Sequence, residues 1–222
     1  MSRTRSEPPG KGGRYHHGDL RTALVDAAIE LIAERGLRRF SLAEASRRVG
    51  VTVAAPYRHF ADRDALLAAV AVRALQVFAA MLEDEAGGAR RPERRLAAMA
   101  RAYVRFAAEQ RPLFETLYSS GIDKRRYPEL KRAYEPVDAF HALVTDVCAG
   151  DPEAADALGG ALEATAHGHA ALLVDGEYGR GPKAVRSAAD RAERATLALI
   201  EGRKALQRAS SPPRRSPARR SG

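Results

Sequence analysis

Only one cysteine, Cys148, occurs among the 222 residues, and tryptophan is absent. A lone thiol cannot close an intramolecular disulfide, so a disulfide-stapled secreted scaffold is excluded and a reducing cytoplasm is expected. Metal ligands are equally scarce. His167 and His169 stand two apart, and on a helix such positions point to nearly opposite sides, so they cannot share one ion. No metal and no cofactor is therefore expected. Runs of alternating Val, Ile and Thr are missing, which argues against sheets. No charged-then-apolar leader opens the chain and no uninterrupted apolar span stands out, so no membrane partner is expected. Nucleophile motifs and phosphate-binding glycine loops are also lacking. An enzyme would have to work from His141 or His167 with Asp138 or Glu163, and no spacing supports that.

What is present is alanine-rich, charged and helical in its periodicity. Hydrophobic residues make up 45% of the chain, enough to bury a core in one large domain or two small ones. The net charge of +9 is unevenly placed. Residues 1–14 contribute +3 and residues 202–222 contribute +7, leaving 15–201 at −1. Both tails would attract phosphate without sequence preference, and their Pro, Gly and Ser content reads as disorder over 1–14 and 207–222.

Between the tails, helix signals follow one another. Leu20, Leu24, Ala27, Ala28, Leu31 and Ile32 recur at helical spacing after Asp19, a capping residue, and before Gly36, a left-handed terminator. Ser41-Leu42-Ala43-Glu44 is a capping box, with Phe40 placed to staple onto Ala45. That short helix must stop at Gly50, and Thr52 can cap another over 53–60. Asp62 caps a long helix carrying Leu66, Leu67, Val70, Ala74, Phe78, Met81 and Leu82, broken by Gly87-Gly88. Further helices are expected from Pro92, after Arg111-Pro112, over 128–148 with a kink or split at Pro136, over 152–173, and from Pro182 to about 206.

Two short capped helices joined at Gly50, behind a longer bracing helix, form a helix-turn-helix that reads a major groove. Thr52, Val53, Ala54 and Ala55 are small enough for close approach to base edges and thymine methyls. Arg58 suits guanine or phosphate, while Tyr57 and His59 carry polar tips that reach phosphates. Ser41 and Leu42, at the head of the second helix, are counted on the same DNA-facing side.

The run from Leu20 to Val70, with Val49-Gly50-Val51-Thr52 and the stretch Pro56 to Leu67, resembles the N-terminal domain of TetR-family regulators. The resemblance implies homodimers on near-palindromic operator DNA. It implies phosphate contacts at Tyr57, His59 and Arg63, the last at a position commonly held by Lys. It implies base contacts from Thr52 to Ala55, and a lead-in at Tyr15 and His16 that abuts the backbone. Pro56 departs from the family, where leucine is common.

The C-terminal half is less marked. Residues 161–175, with His167-Gly168, resemble the Trp-His-Gly type of C-terminal domain found in one branch of the family, though the Trp is missing. The resemblance implies a helical bundle over 65–206 that dimerises through its last two helices and encloses an effector pocket. Ala161 and Ala164, with Gly159 and Gly160, facing Ala184, Ala188, Ala192 and Ala195, suit a close helical seam between subunits. Tyr103, Phe106, Phe114, Tyr118, Phe140, His141 and His167 are expected to line a pocket for a small, partly apolar effector. The expected whole is an all-α protein with a DNA reader over 15–64 and a ligand-binding dimerisation bundle, most often a repressor. A constitutive or architectural DNA binder without an effector is the alternative, prompted by the basic tails.

Overall fold

A computed structural model describes residues 17–134 and 138–205, and among them every regular element is helical. They fall into two compact units, one ending at Leu66 and the other beginning at Leu67. Residues 1–14 and 207–222, with Tyr15, His16 and Pro136, lie outside the described residues, whereas Arg203 and Lys204 of the second basic stretch are described.

In the first unit, α1 (His17–Arg35) buries Leu24, Val25, Ala27, Ala28, Leu31 and Ile32 on one face. It begins earlier than the periodicity suggests, so Asp19 lies within the helix and does not cap it. Gly36 has the expected positive φ of 78°, but its ψ of 160° leads into extended backbone and a 3-10 turn at Leu37–Arg39. Helix α2 (Leu42–Val49) is capped by Ser41, whose hydroxyl oxygen accepts from the Glu44 amide at 3.3 Å and whose O–H donates to the Glu44 carboxylate at 3.0 Å. Arg35 takes the other Glu44 oxygen, tying α1 to the head of α2. Phe40 and Ala45 are both buried beside this cap. At the far end Gly50 adopts φ 77°, ψ 29°, a left-handed conformation that costs a residue with a Cβ about 1–2 kcal/mol. The turn lets the Val51 amide donate to the Ser46 carbonyl at 3.0 Å, closing the helix as a Schellman-type cap does.

The next element differs from expectation. Instead of a helix over 53–60 capped by the Thr52 side chain, there is a single 3-10 turn, Ala55–Arg58, with Ala54 at its head and no side-chain cap. Pro56 is the cause: it has no amide to donate and disfavours the α conformation at Ala55. The turn is held by main-chain bonds, Ala55 N–H to the Thr52 carbonyl at 3.0 Å and His59 N–H to the Pro56 carbonyl at 2.8 Å. Pro56 and Phe60 are buried, and the Arg21 guanidinium lies 5.2 Å from the Phe60 ring centroid. Asp62 then caps α3 (Arg63–Gly87) by accepting from the Ala65 amide at 2.8 Å.

Helix α3 continues into the second unit. It contains an 18-residue window with a mean hydropathy of 2.1, long and apolar enough to cross a membrane by length and composition. Arg73 and Gln76 interrupt this stretch, so it is not an uninterrupted apolar span. Leu66 to Ala71, Ala74, Leu75, Phe78 and Leu82 are buried within the protein, so the helix serves as a core element. Helix α4 (Pro92–Glu109) is the centre of the second unit, burying nine side chains including Leu96, Met99, Tyr103, Val104 and Phe106. Around it pack α5 (Arg111–Ser119), α7 (Asp138–Val147), α8 (Pro152–Asp175) and α9 (Pro182–Glu201), with a short α6 (Pro128–Ala133) preceding α7. Helices α6 and α7 occupy the span in which a kink or split at Pro136 is expected. Asp151 caps α8 through the Glu153 and Ala154 amides, each at 3.1 Å. Arg101 of α4 links Glu85 of α3 to Asp190 and Glu193 of α9, and Arg105 also takes Glu85 at 2.8 Å. This ionic lattice fixes α3 and α9 against α4.

Candidate nucleic-acid interface and effector cavity

The segment after α2 presents its side chains outward because its backbone bonds are closed locally. Val53 and Tyr57 are 51% and 58% exposed, the largest apolar exposures among the described residues. Thr52, Ala54 and Arg58 are exposed, and Ala55 and His59 are half-buried. Together they give this segment an outward-facing surface with an apolar and an aromatic side chain in solvent. Leu42 does not belong to it. At 6% exposure Leu42 packs into the core beneath the Ser41 cap, and its assignment as a DNA-facing residue is withdrawn. Ser41 itself is half-buried and committed to the cap.

Arg63 also behaves differently from a free cation. Its guanidinium donates to the Leu37 carbonyl at 2.7 Å and the Phe40 carbonyl at 3.2 Å, and lies 5.6 Å from the Phe40 ring centroid. It braces the turn between α1 and α2. Sequence reasoning overlooked three other cations: Arg38, Arg39 and Arg47 are exposed. Arg48 is instead held by Glu34 and Glu30 of α1, the Glu34 pair being bidentate at 2.6 and 2.8 Å. The Arg48 hydrogen bonds keep the Glu34 carboxyl below its ordinary range.

The second unit contains a cavity of about 90 Å³ that opens to solvent. Its floor is buried and apolar: Leu75, Phe78 and Leu82 of α3, Leu96, Met99 and Ala100 of α4, and Leu162 and Ala166 of α8. Thr196 of α9 joins them, 1% exposed. Towards solvent stand Tyr118, Tyr134, Phe140, His141 and Glu163. Of the seven residues expected to line a pocket, Tyr103, Tyr118, Phe140 and His141 do so. Phe106, Phe114 and His167 do not.

Those three form the wall behind the cavity. Phe106 packs on Phe78 with centroids 5.0 Å apart, Phe114 on Tyr118 at 4.9 Å, and His167 on Tyr118 at 4.8 Å. The Tyr103 hydroxyl and His167 Nδ1 are hydrogen-bonded at 3.0 Å. Burial raises the Tyr103 hydroxyl far above its usual range, so it remains a neutral phenol. His167 therefore acts as a partner that fixes a lining tyrosine. Thr196, Tyr134 and Glu163 carried no sequence signal of their own, since each comes from a different helix.

The proposed seam of alanines is corrected in part. Ala184, Ala188 and Ala192 are 5%, 0% and 0% exposed within the single chain, where α9 packs on α4 and α8. Small side chains let these helices approach one another, and no surface is left there for a second subunit. Gly159 is likewise occupied: a Cβ there would sit 3.8 Å from Val144 and 3.9 Å from Phe140 of α7. Gly160 and Ala164 are exposed, and Ala161 and Ala195 half-buried, on the outer faces of α8 and α9.

Comparison with known proteins agrees with this arrangement. A family model for bacterial regulatory proteins of the tetR family matches residues 24–70, and one for a tetracyclin repressor-like C-terminal domain matches residues 96–199. The HTH-type transcriptional regulator BetI of Burkholderia thailandensis is 29% identical over 162 residues, covering 72% of this chain and 80% of its own. A solved protein of unknown function from Rhodococcus sp. RHA1 is 32% identical, with a TM-score of 0.66 over 82% of this chain and 97% of its own. A TetR-like transcriptional regulator from the same organism shares the fold at 17% identity, TM-score 0.63, over 85% of this chain and all of its own. With one family model matching the helix-turn-helix unit, exposed turn included, and another matching the helical bundle, the chain belongs to the TetR family of DNA-binding transcriptional regulators.

Proposed function

We propose that the protein is a cytoplasmic homodimeric repressor that binds a near-palindromic operator and leaves it when a small, partly apolar effector enters the cavity of the second unit. The observation that carries the DNA-binding part is the outward-facing segment Thr52 to His59, held by main-chain bonds and carrying an otherwise unexplained exposed valine and tyrosine. Thr52, Val53, Ala54 and Ala55 read base edges, and Tyr57, Arg58 and His59 take phosphates, with Arg38, Arg39 and Arg47 supplying further charge. Arg63 positions this surface through the Leu37 and Phe40 carbonyls. Because one such reader covers only a half-site, a second copy is needed to span two adjacent major grooves. The outer faces of α8 and α9, around Gly160, Ala161, Ala164 and Ala195, are the surface left for it. No catalytic step is assigned to the protein.

Regulation follows from continuity of one helix. Residues 63–66 of α3 belong to the reader, while Leu75, Phe78 and Leu82 of the same helix form the cavity floor. A ligand that favours one setting of that floor therefore acts on the element leading to the reader.

Selection of DNA from a random pool by the full-length protein, followed by anisotropy titration on the recovered site, tests the reading. Enrichment of an inverted repeat is expected, bound by the dimer well above random duplex at equal salt. Tyr57→Phe should weaken binding on all sequences alike, whereas Val53→Lys should change the selected bases. A pool that yields no motif would make the protein an architectural binder acting through charge alone.

A further inference from the structure

We propose that the cavity takes an uncharged molecule with an apolar body ending in one hydroxyl or carbonyl group, which hydrogen-bonds the Thr196 hydroxyl at the floor. The inference rests on the ligand-responsive reading above and specifies the chemical class of the ligand.

Thr196 differs from four other helical hydroxyls. Ser46, Thr116, Thr145 and Thr165 each donate to the carbonyl four residues earlier, at 2.8, 2.8, 2.9 and 2.7 Å. Thr196 is 1% exposed on α9, yet its Oγ1 has no hydrogen-bond partner among the described residues. It is the one buried side-chain oxygen or nitrogen among them left so. A buried hydroxyl without a partner is destabilising, and such groups in folded proteins call for a specific explanation. Here it borders a cavity whose floor is otherwise Leu75, Phe78, Leu96, Met99 and Leu162. A ligand group that donates to or accepts from this hydroxyl would satisfy it, while the ligand's body replaces the apolar contacts.

The charge of the ligand follows from the lining. Among the described residues no Lys or Arg lines the cavity, and the one lining carboxylate, Glu163, stands at the exposed rim with the imidazole of His141. An anion would meet either that carboxylate or an apolar floor without a counter-charge. A cation pushed to the floor would lose its hydration with nothing to replace it. A neutral polar end avoids both penalties.

Calorimetric titration of the full-length wild type, Thr196→Val and Glu163→Gln tests this with four probes of one skeleton: 4-phenylbutanol, butylbenzene, 4-phenylbutanoate and 4-phenylbutylamine. The alcohol should bind wild type about threefold to tenfold more tightly than the hydrocarbon, the range of one net hydrogen bond. That advantage should vanish in Thr196→Val, which should still bind butylbenzene and so prove that the cavity is intact. The carboxylate should be the weaker binder in wild type and improve in Glu163→Gln. Equal binding of alcohol and hydrocarbon, an advantage that survives Thr196→Val, or no binding by any probe would overturn the inference. So would tightest binding by the amine with dependence on Glu163, which would make the rim a cation site. Anisotropy on operator DNA separates the two levels. Thr196-dependent binding without operator release refutes the ligand-responsive reading alone, and release that ignores Thr196→Val refutes the ligand class alone.

Discussion

Replacing Ala188 by Asp and, separately, Ala164 by Asp distinguishes packing within one chain from packing between two. Ala188 is completely buried on α9, flanked on the same face by Ala184 and Ala192, with α4 and α8 packed against it. An aspartate there must enter a helix–helix contact sized for methyl groups. Overpacking of this kind costs about 1–3 kcal/mol, and a buried carboxylate with no partner about 3–5 kcal/mol. Together these approach the ~5–15 kcal/mol that holds a domain folded. Ala188→Asp should therefore lose its cooperative melt by circular dichroism and behave as unfolded or aggregated at every concentration. Ala164 is exposed on α8. Its substitution should change the stability of the single chain by no more than about 0.5 kcal/mol. If α8 lies in the dimer interface, symmetry places two such carboxylates close together, and sedimentation velocity should show folded monomers at micromolar concentration. A folded, monomeric Ala188→Asp with an unchanged melting temperature would refute the assignment of that face to the interior of one subunit.

Three further outcomes follow. Gly50→Ala should destabilise the first unit by about 1–2 kcal/mol and weaken operator binding, since φ is 77° while the added Cβ would meet nothing within 4 Å, so the whole effect is conformational; urea unfolding and anisotropy measure the two parts. Thr196→Val, which removes an unpaired buried hydroxyl at nearly constant shape, should raise the stability of the ligand-free protein by about 1–3 kcal/mol, read as a higher urea midpoint. His169, whose ring is 2.7 Å from the Tyr178 hydroxyl, has its pKa lowered first by burial and then by the charge of Arg191. The unfolded chain therefore binds the proton more readily, so this contribution to stability is present above pH ~6.5 and is lost as pH falls below it. His169→Gln should flatten the pH dependence of the melting temperature between pH 8 and 5.

The reader was legible in the sequence because its signals are local. Ser41 with Glu44, Gly50 and Asp62 each act within a few residues, and all three perform in the structure the role their spacing implies. Thr52 carries the chemistry of a helix cap, but Pro56 four residues on shortens the helix to one turn. Leu42 and Arg63 lie in the right stretch of chain but face inward or along the backbone, a matter of orientation that spacing alone does not resolve. In the bundle, chemistry was legible and placement was not. Tyr103, Tyr118, Phe140 and His141 reach the cavity, while Phe106, Phe114 and His167 pack one layer behind. A stripe of alanines shows only that two helices come close. Whether the second helix belongs to the same chain is decided by α4, which supplies the partner for Ala184, Ala188 and Ala192 from some ninety residues away.

Helix α3 carries the demand that the proposed regulation places on the fold. From Arg63 to Ala86 it contains neither glycine nor proline, and the residues touching the cavity lie 12 to 19 positions beyond its first. At ~1.5 Å per residue the floor is about 18–28 Å from the start of the helix. In the proposed regulation, displacement of Leu75, Phe78 or Leu82 acts on the helix that leads to the reader. Two readers must keep a separation of about 34–36 Å to meet successive major grooves, which makes operator binding sensitive to small movements at their bases. The ligand's leverage is nevertheless limited to the difference between its affinities for the two settings of the floor. A molecule that merely fills the cavity binds without releasing DNA. On the proposed reading, a molecule is an inducer only if it binds one setting of the floor better than the other.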